Sequence, residues 1–441
     1  MRLQRDDGPA KGETAAGRSG SAPGLLGNRS GGLRIALLSY RSEPYCGGQG
    51  VYVRHLSRAL RDRGHRVDVL SGEPYPELDP GVGLVPLPGM NCYGYSRFRD
   101  ALSDRGLRSL RDLREWLGIV SGGFPEPHLF GERARDWLLA RAGEYDLVHD
   151  NQSLCYGLLQ LQNRGVPVVS TIHHPITRDL RHALQREERW GIRLLIRRWH
   201  SFLRMQKRVA RGLGRIVTVS SASLGDIEED FGVAAQNMEV VPNGVDTTVF
   251  RPMPDIEPRP GRIMATASAD VPIKGLAYLL RALDLLRREF PGAELRVLGK
   301  CGENGRTARL IRELGLEDRV SFCSGLSREE VAAEYARSSV AVVPSLYEGF
   351  GLPAVEAMAC GRPLVSTTGG ALPEVVGDAG ELVPPADAGA LAEATGRILR
   401  QPEYAGELAR RARQRVEHNF TWDCAARRME AVYRDLLAET A

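Results

Sequence analysis

Short apolar runs alternate along most of this chain with longer segments whose apolar positions recur every three or four residues. Arg34–Ser39 is the first such run. Tyr52, Leu56 and Leu60 follow at four-residue spacing, the signature of one helix face. Arg66–Leu70 reads as a second strand, and Asp146–His149, Pro167–Ile172 and Ile216–Ser220 as strands buried on both faces, separated by helical stretches. Beyond residue 260 a second series begins. It predicts strands at Arg262–Ala267, Glu294–Leu298, Arg319–Cys323, Val340–Val343 and Pro363–Ser366, and helices at Lys274–Arg288, Arg306–Leu314, Arg328–Arg337 and Pro353–Cys360. Ser327 with Glu330 supplies a capping box for the third of these helices. Strands alternating with helices predict parallel, doubly wound α/β sheets, here in two Rossmann-like halves facing across a cleft. Pro252, Pro254, Pro258 and Pro260 predict a stiff, exposed connector between the halves. Residues 73–130, rich in Gly, Pro and Tyr, have no assignable pattern. The expected division is an N-terminal half at 33–250, a linker at 251–260, a C-terminal half at 261–420 and a last segment at 421–441.

Composition narrows the picture. A length of 441 residues suits two domains, and 42% apolar residues can fill two cores. The net charge of +4, from 59 basic and 55 acidic residues, is too mild to argue for a nucleic-acid partner. The cysteines number seven, are scattered, and include no Cys-x-x-Cys pair, so neither a zinc site nor a disulfide framework is expected and a reduced, cytoplasmic setting fits. No run approaches the roughly 18 apolar residues of a membrane span. Residues 1–32 lack an apolar core and read as a disordered tail rather than a signal peptide. Residues 178–215 combine many arginines with Trp190, Leu194, Leu195 and Trp199. Three readings stand for this segment: an ordinary helix packed on the first sheet, a peripheral contact with an anionic membrane surface, or a site for a negatively charged acceptor.

The richest chemistry lies in Tyr347-Glu348-Gly349-Phe350-Gly351-Leu352-Pro353-Ala354-Val355-Glu356. A short buried strand precedes it. Pro353 suits a first helical position, and Gly349 and Gly351 let backbone approach a ligand closely. Free N–H groups at the helix start, including those of Phe350, Gly351 and Leu352, form an anion site between two carboxylates. Such a layout suits a nucleotide-linked sugar, with one acid for sugar hydroxyls, the other for ribose hydroxyls, and amides for phosphate. Lys274 follows a strand within Pro272-Ile273-Lys274-Gly275, where a point charge could meet a diphosphate. His173 ends another strand in Ser170-Thr171-Ile172-His173-His174.

Taken with Val241-Pro242-Asn243-Gly244-Val245-Asp246, Gly47-Gly48 and Pro363-Leu364-Val365-Ser366-Thr367-Thr368-Gly369-Gly370-Ala371-Leu372-Pro373-Glu374, the chain resembles the retaining glycosyltransferases of family 4, with the GT-B fold, from Leu33 onward. The resemblance implies that Glu348, His173 and Lys274 are catalytic. It places the donor against Gly47, Gly48, Asn243, Lys274, Glu348, Gly349, Phe350, Gly351, Leu352 and Glu356. It further implies a hydroxyl acceptor, no metal or other cofactor, a front-face retaining route, and a final helix that crosses back to the N-terminal half. One position departs from the family pattern: Ala269 stands where an arginine usually accompanies the lysine, and the expectation is that either another cation, Lys300 or Arg306, substitutes or backbone amides carry more of the load. Absence of a Gly-x-Gly-x-x-Gly run after the first strand argues against a dinucleotide dehydrogenase. A GT-B epimerase or phosphorylase, or a nucleotide-sugar-binding protein of weak activity, remains as an alternative.

Overall fold

A computed structural model describes residues 31–42, 48–95, 98–267 and 269–440. Most of the expected tail at 1–32 therefore lies outside the described residues, as does Gly47. The first sheet contains β1 (Arg34–Ser39), β2 (Arg66–Ser71), β3 (Gly83–Pro86), β4 (Leu147–Asn151), β5 (Val168–Ile172), β6 (Arg215–Thr218) and β7 (Met238–Val240), in the spatial order β3-β2-β1-β4-β5-β6-β7. The second contains β8 (Arg259–Thr266), β9 (Glu294–Leu298), β10 (Val320–Cys323), β11 (Ser338–Val343), β12 (Leu364–Thr367) and β13 (Glu381–Val383), in the order β10-β9-β8-β11-β12-β13. Every pairing is parallel. The chain reverses its direction of travel between β1 and β4, and again between β8 and β11. At such switch points loops diverge from the carboxyl ends of the strands and leave a crevice for ligand.

Central strands β1, β4 and β5 are buried along nearly their whole length because helices cover both faces of the sheet. The strands the pattern missed, β3, β7 and β13, are short edge strands of three or four residues. The expected connector at 251–260 is shorter than its prolines suggest, since β8 starts at Arg259. Pro260 is tolerated because the β8–β11 register shifts there, between Ser338 and Val340. Two helix starts also move. Helix Leu276–Leu286 begins after Gly275, leaving Lys274 on a preceding 3-10 turn, and helix Leu352–Ala359 takes Pro353 as its second residue.

The basic segment at 178–215 is not one helix. It breaks into Thr177–Arg186, Trp190–Trp199 and Leu203–Gly212. The third packs Leu203, Met205, Val209 and Ala210 inward, whereas the second buries no side chain. Among the described residues no helix is long and apolar enough to cross a membrane.

Helix Pro402–Asn419 packs on Leu352–Ala359 in the second half. The chain then returns beside the Pro-Asn-Gly-Val-Asp segment, where Val245 N donates to Phe420 O at 2.7 Å. Gly244 permits this crossing, because a Cβ there would stand 2.5 Å from Trp422 N. Helix Trp422–Thr440 lies on helix Gly48–Asp62 and completes a core of Tyr52, Val53, Leu56, Leu60, Trp422, Met429, Val432, Tyr433 and Leu436.

Candidate functional site

Two loops at the β8/β11 switch point bring together the residues that the motifs single out. Lys274 Nζ donates to Glu348 Oε1 at 2.7 Å, and Ser345 Oγ donates to the same oxygen at 2.7 Å. Glycine makes the approach possible. Gly275 has φ +68°, and a Cβ on it would lie 1.8 Å from Pro344 O. Leu346 N then donates to Ile273 O at 2.8 Å, locking the lysine turn to the glutamate loop.

The Gly369-Gly370 pair has a related role. A Cβ on Gly369 would strike Leu346 O at 2.4 Å, and one on Gly370 would strike Glu348 O at 2.3 Å. With both side chains absent, Ala371 N donates to Glu348 O at 2.9 Å and the loop is braced from below. Gly351, at φ +98°, caps helix Leu352–Ala359, whose first amides face the same crevice end.

Glu356 sits one turn into that helix and is half-buried. Burial pushes its carboxyl up to about 7, and the Arg328 guanidinium opposes the rise. Arg328 opens helix Arg328–Ala336 and reaches across the cleft, where its Nη1 lies 2.7 Å from His55 Nε2 and 3.9 Å from Asp246 Oδ2. Asp246 is held from the first half by Arg58, at 3.0 Å. The junction aspartate thus gathers charge from both halves. Asn243, nearby in sequence, is buried, and its Oδ1 has no hydrogen-bond partner among the described residues.

Across the crevice, His173 follows β5. Its Nε2 is 2.8 Å from Asn151 Oδ1, and its backbone N donates to Gln152 Oε1 at 2.8 Å. Tyr52 packs edge-on against the ring at 4.6 Å. Burial, reinforced by His174, drives the imidazole down to about 3, so His173 is neutral and acts as a hydrogen-bonding group rather than a cation. The two halves touch beside it: Ser220 and Ser223 hydroxyls both donate to Gly349 O, at 2.6 and 3.0 Å. Tyr347 bonds Asp226, and Ser221 N donates to Glu374 at 2.9 Å. The Glu348 loop is therefore held against the His173 loop by hydroxyls of the first half.

Gly48 is the first residue of helix Gly48–Asp62 and is exposed; a Cβ added to it would meet nothing within 4 Å. At the departure from the family pattern, Ala269 precedes Asp270, which has φ +62° and accepts from Thr307 N at 2.8 Å. Asp270 thus satisfies the first turn of helix Arg306–Glu313. Lys300 and Arg306 are exposed, and no hydrogen bond or ion pair among the described residues joins either to Glu348.

Residues 46–249 match the family described as Glycosyltransferase Family 4, and residues 256–415 match Glycosyl transferases group 1. A mannosyltransferase of Mycolicibacterium hassiacum, described as MMP alpha-(1->4)-mannosyltransferase, is 49% identical over 93% of this chain and 100% of its own length. The chain belongs to glycosyltransferase family 4. A glycogen synthase of Mycobacterium tuberculosis is 30% identical over 91% of this chain and 94% of its own length. Among solved structures, the sucrose-phosphate synthase of Thermosynechococcus elongatus superposes with a TM-score of 0.69 at 27% identity, over 92% of this chain and 100% of that one. The two facing parallel sheets of this glycosyltransferase are the GT-B fold.

Several residues of the site carry no signal along the chain. Asn151, Gln152, Ser220 and Ser223 reach the cleft only because β4, β5 and β6 are adjacent. Arg328 had one local cue: the capping box at Ser327 makes it the first helical residue, without saying where it points.

Glu356 supports a pH-dependent prediction. A carboxylate accepts hydrogen bonds from two hydroxyls, whereas the protonated acid has lost part of that capacity. With a carboxyl near 7 in the free enzyme, kcat/KM for the donor is expected to rise about tenfold from pH 6 to pH 8. His173, near 3, and His55, near 4, do not titrate in that window. Burial also pushes Glu126 up to about 7, so the deciding comparison is between variants. The limb should vanish in Glu356→Gln and persist in Glu126→Gln. Folding stability runs the other way: a raised carboxyl contributes most below its unfolded value, near 4.5, and loses that contribution as pH climbs through 7.

Proposed function

We propose that this glycosyltransferase moves a mannosyl group from a nucleoside diphosphate sugar to a mannoside hydroxyl, forming an α-(1→4) link with the anomeric configuration retained. The observation that carries the transfer chemistry is the Lys274–Glu348 pair, braced at the β8/β11 switch point opposite a neutral His173. The mannosyl group and the linkage rest on the likeness to the Mycolicibacterium hassiacum enzyme.

In this reading Glu348 accepts hydrogen bonds from sugar hydroxyls, and Glu356 accepts them from the ribose. Lys274 and the amides of Phe350, Gly351 and Leu352 face the diphosphate. The bond from the anomeric carbon to the phosphate oxygen breaks as the acceptor oxygen bonds to the same face of that carbon. The acceptor proton passes to the departing phosphate oxygen. Charge that develops on the diphosphate meets Lys274, and positioning supplies the rest. No metal is needed in this scheme.

The test uses purified enzyme with GDP-, UDP- and ADP-mannose, the matching glucose donors, and methyl α-mannoside as acceptor. The expected result is a donor-specific upward shift of Tm, an α-linked disaccharide by NMR, and turnover unchanged by EDTA. A β-linked product, or a mannose donor that neither binds nor reacts, would overturn the reading.

A further inference from the structure

The first half holds a cavity that the donor site does not use. Its volume is about 240 Å³, and it lies between the loop before helix Glu126–Leu139 and the segment around helix Leu203–Gly212. That is below the roughly 300–1,000 Å³ of a pocket for a drug-sized ligand, so it suits a single ring rather than a nucleotide. Its walls are aromatic. Phe124 and Phe202 meet edge-to-face at 5.3 Å, and His128 meets Tyr156 edge-on at 5.9 Å. Trp199 stacks on Phe124 at 5.0 Å. Polar groups stand at the margin. Arg198 donates to Ser121 Oγ at 2.8 Å and Ser201 Oγ at 3.3 Å, and His128 Nδ1 is buried without a partner among the described residues. A sugar ring has the matching construction, with C–H faces for aromatic rings and hydroxyls around its edge for hydrogen bonds.

The cavity also lies at the carboxyl side of the first sheet. Tyr156 starts the helix that follows β4, and Phe124 meets Tyr40, just beyond β1, at 6.2 Å. Both mark the carboxyl side of the first sheet, which faces the cleft. Met205 lines the cavity, and its neighbour Gln206 donates to Gln152 O at 3.2 Å. Gln152 is the residue whose amide oxygen holds His173 N. Hydrogen bonds through Gln206 and Gln152 therefore link the helix that lines the cavity to the His173 loop.

We propose that this cavity is an acceptor subsite, binding an uncharged hexose ring of an oligosaccharide one or more units away from the hydroxyl that is glycosylated. The proposal rests on the transfer reading above, and its test is built to separate the two. Trp199 serves as the reporter. Titrating the intact enzyme with α-(1→4)-linked mannotetraose is expected to change tryptophan fluorescence saturably. The change should disappear in Trp199→Phe, and the apparent Kd should rise about tenfold in Phe124→Ala. Methyl α-mannoside should leave the signal unmoved. In transfer assays, Phe124→Ala should raise KM for the tetraose about tenfold while leaving KM for methyl α-mannoside and for the donor as they were. Ser201→Trp, which fills the cavity from its exposed rim, should have the same effect and guards against a core variant that fails to fold. Wild-type enzyme that gives no signal with the tetraose overturns the subsite, as does an equal loss for long and short acceptors. A tetraose signal that is lost in Phe124→Ala, in an enzyme that transfers to no mannoside, supports the subsite and overturns the transfer reading instead.

Discussion

Lys274→Ala is expected to lower kcat roughly 100- to 1,000-fold, the range for losing one preorganised group that stabilises developing negative charge. Lys274 is the cation that the structure sets on Glu348, at 2.7 Å, and Ala269 offers none beside it. A glycosyltransferase with two cations at this position would keep partial function when one is removed, whereas among the described residues Lys274 is the one cation paired with Glu348. Glu348→Ala should cost a similar factor, and the double variant much less than the product, because each side chain orients the other. Fold integrity is checked by an unchanged Tm and circular dichroism spectrum, since Lys274 is partly exposed and contributes little to the core. Steady-state turnover near the wild-type value in either single variant would sink the site as described.

Deleting residues 421–441 should unfold the N-terminal half. Helix Trp422–Thr440 inserts Trp422, Met429, Val432, Tyr433 and Leu436 into the core against helix Gly48–Asp62. At about 1.5–3 kcal/mol for each large side chain, their burial contributes roughly 8–15 kcal/mol. That is comparable to the roughly 5–15 kcal/mol by which a whole domain is stable. The helix also satisfies a buried polar chain. Tyr433 Oη lies 2.6 Å from His149 Nδ1, His149 Nε2 lies 2.8 Å from Thr171 Oγ1, and Tyr52 Oη lies 3.2 Å from that same oxygen. Removing Tyr433 takes away the partner of Nδ1 on His149, which is fully buried and driven down to about 3, and leaves only the Thr171 contact at Nε2. Calorimetry should show loss of the N-terminal transition, with donor-dependent stabilisation of the C-terminal half retained. A truncated chain whose melting profile matches the full-length one would refute this account. The His173 site should fail along with the N-terminal half, because Tyr52 packs on His173 at 4.6 Å and on Trp422 at 5.8 Å.

The local pattern was most legible where burial is symmetrical. Strand β1 is buried on both faces from Ile35 to Ser39, so its run announces it to the residue; β9 is marked instead by alternation, with Leu295 and Val297 buried beside Glu294 and Arg296. Edge strands β3, β7 and β13 are too short to impose a period, and their pairing is decided by the neighbour they join. The prolines near residue 260 misled for a related reason: a register shift in the partner strand absorbs Pro260, and no local feature shows that shift. The segment at 178–215 offered composition without geometry. Its last third is core and its middle third has no fully buried side chain, a division set by which face meets the first sheet.

Residues close along the chain are tied by backbone geometry, and that much the sequence determined by itself: two wound α/β series, the glycine turn before helix Leu352–Ala359, and the eight-residue offset that puts Glu348 on a loop and Glu356 inside a helix. Only the tertiary structure decided that Lys274 meets Glu348, that Gly369 and Gly370 brace that loop, that Ser220 and Ser223 hold it against His173, and that Arg328 reaches across to His55 and Asp246. Those contacts join residues tens to hundreds of positions apart. They depend on strand order, on sheet twist and on the return of the last helix, and none of these is encoded in the spacing of any one segment.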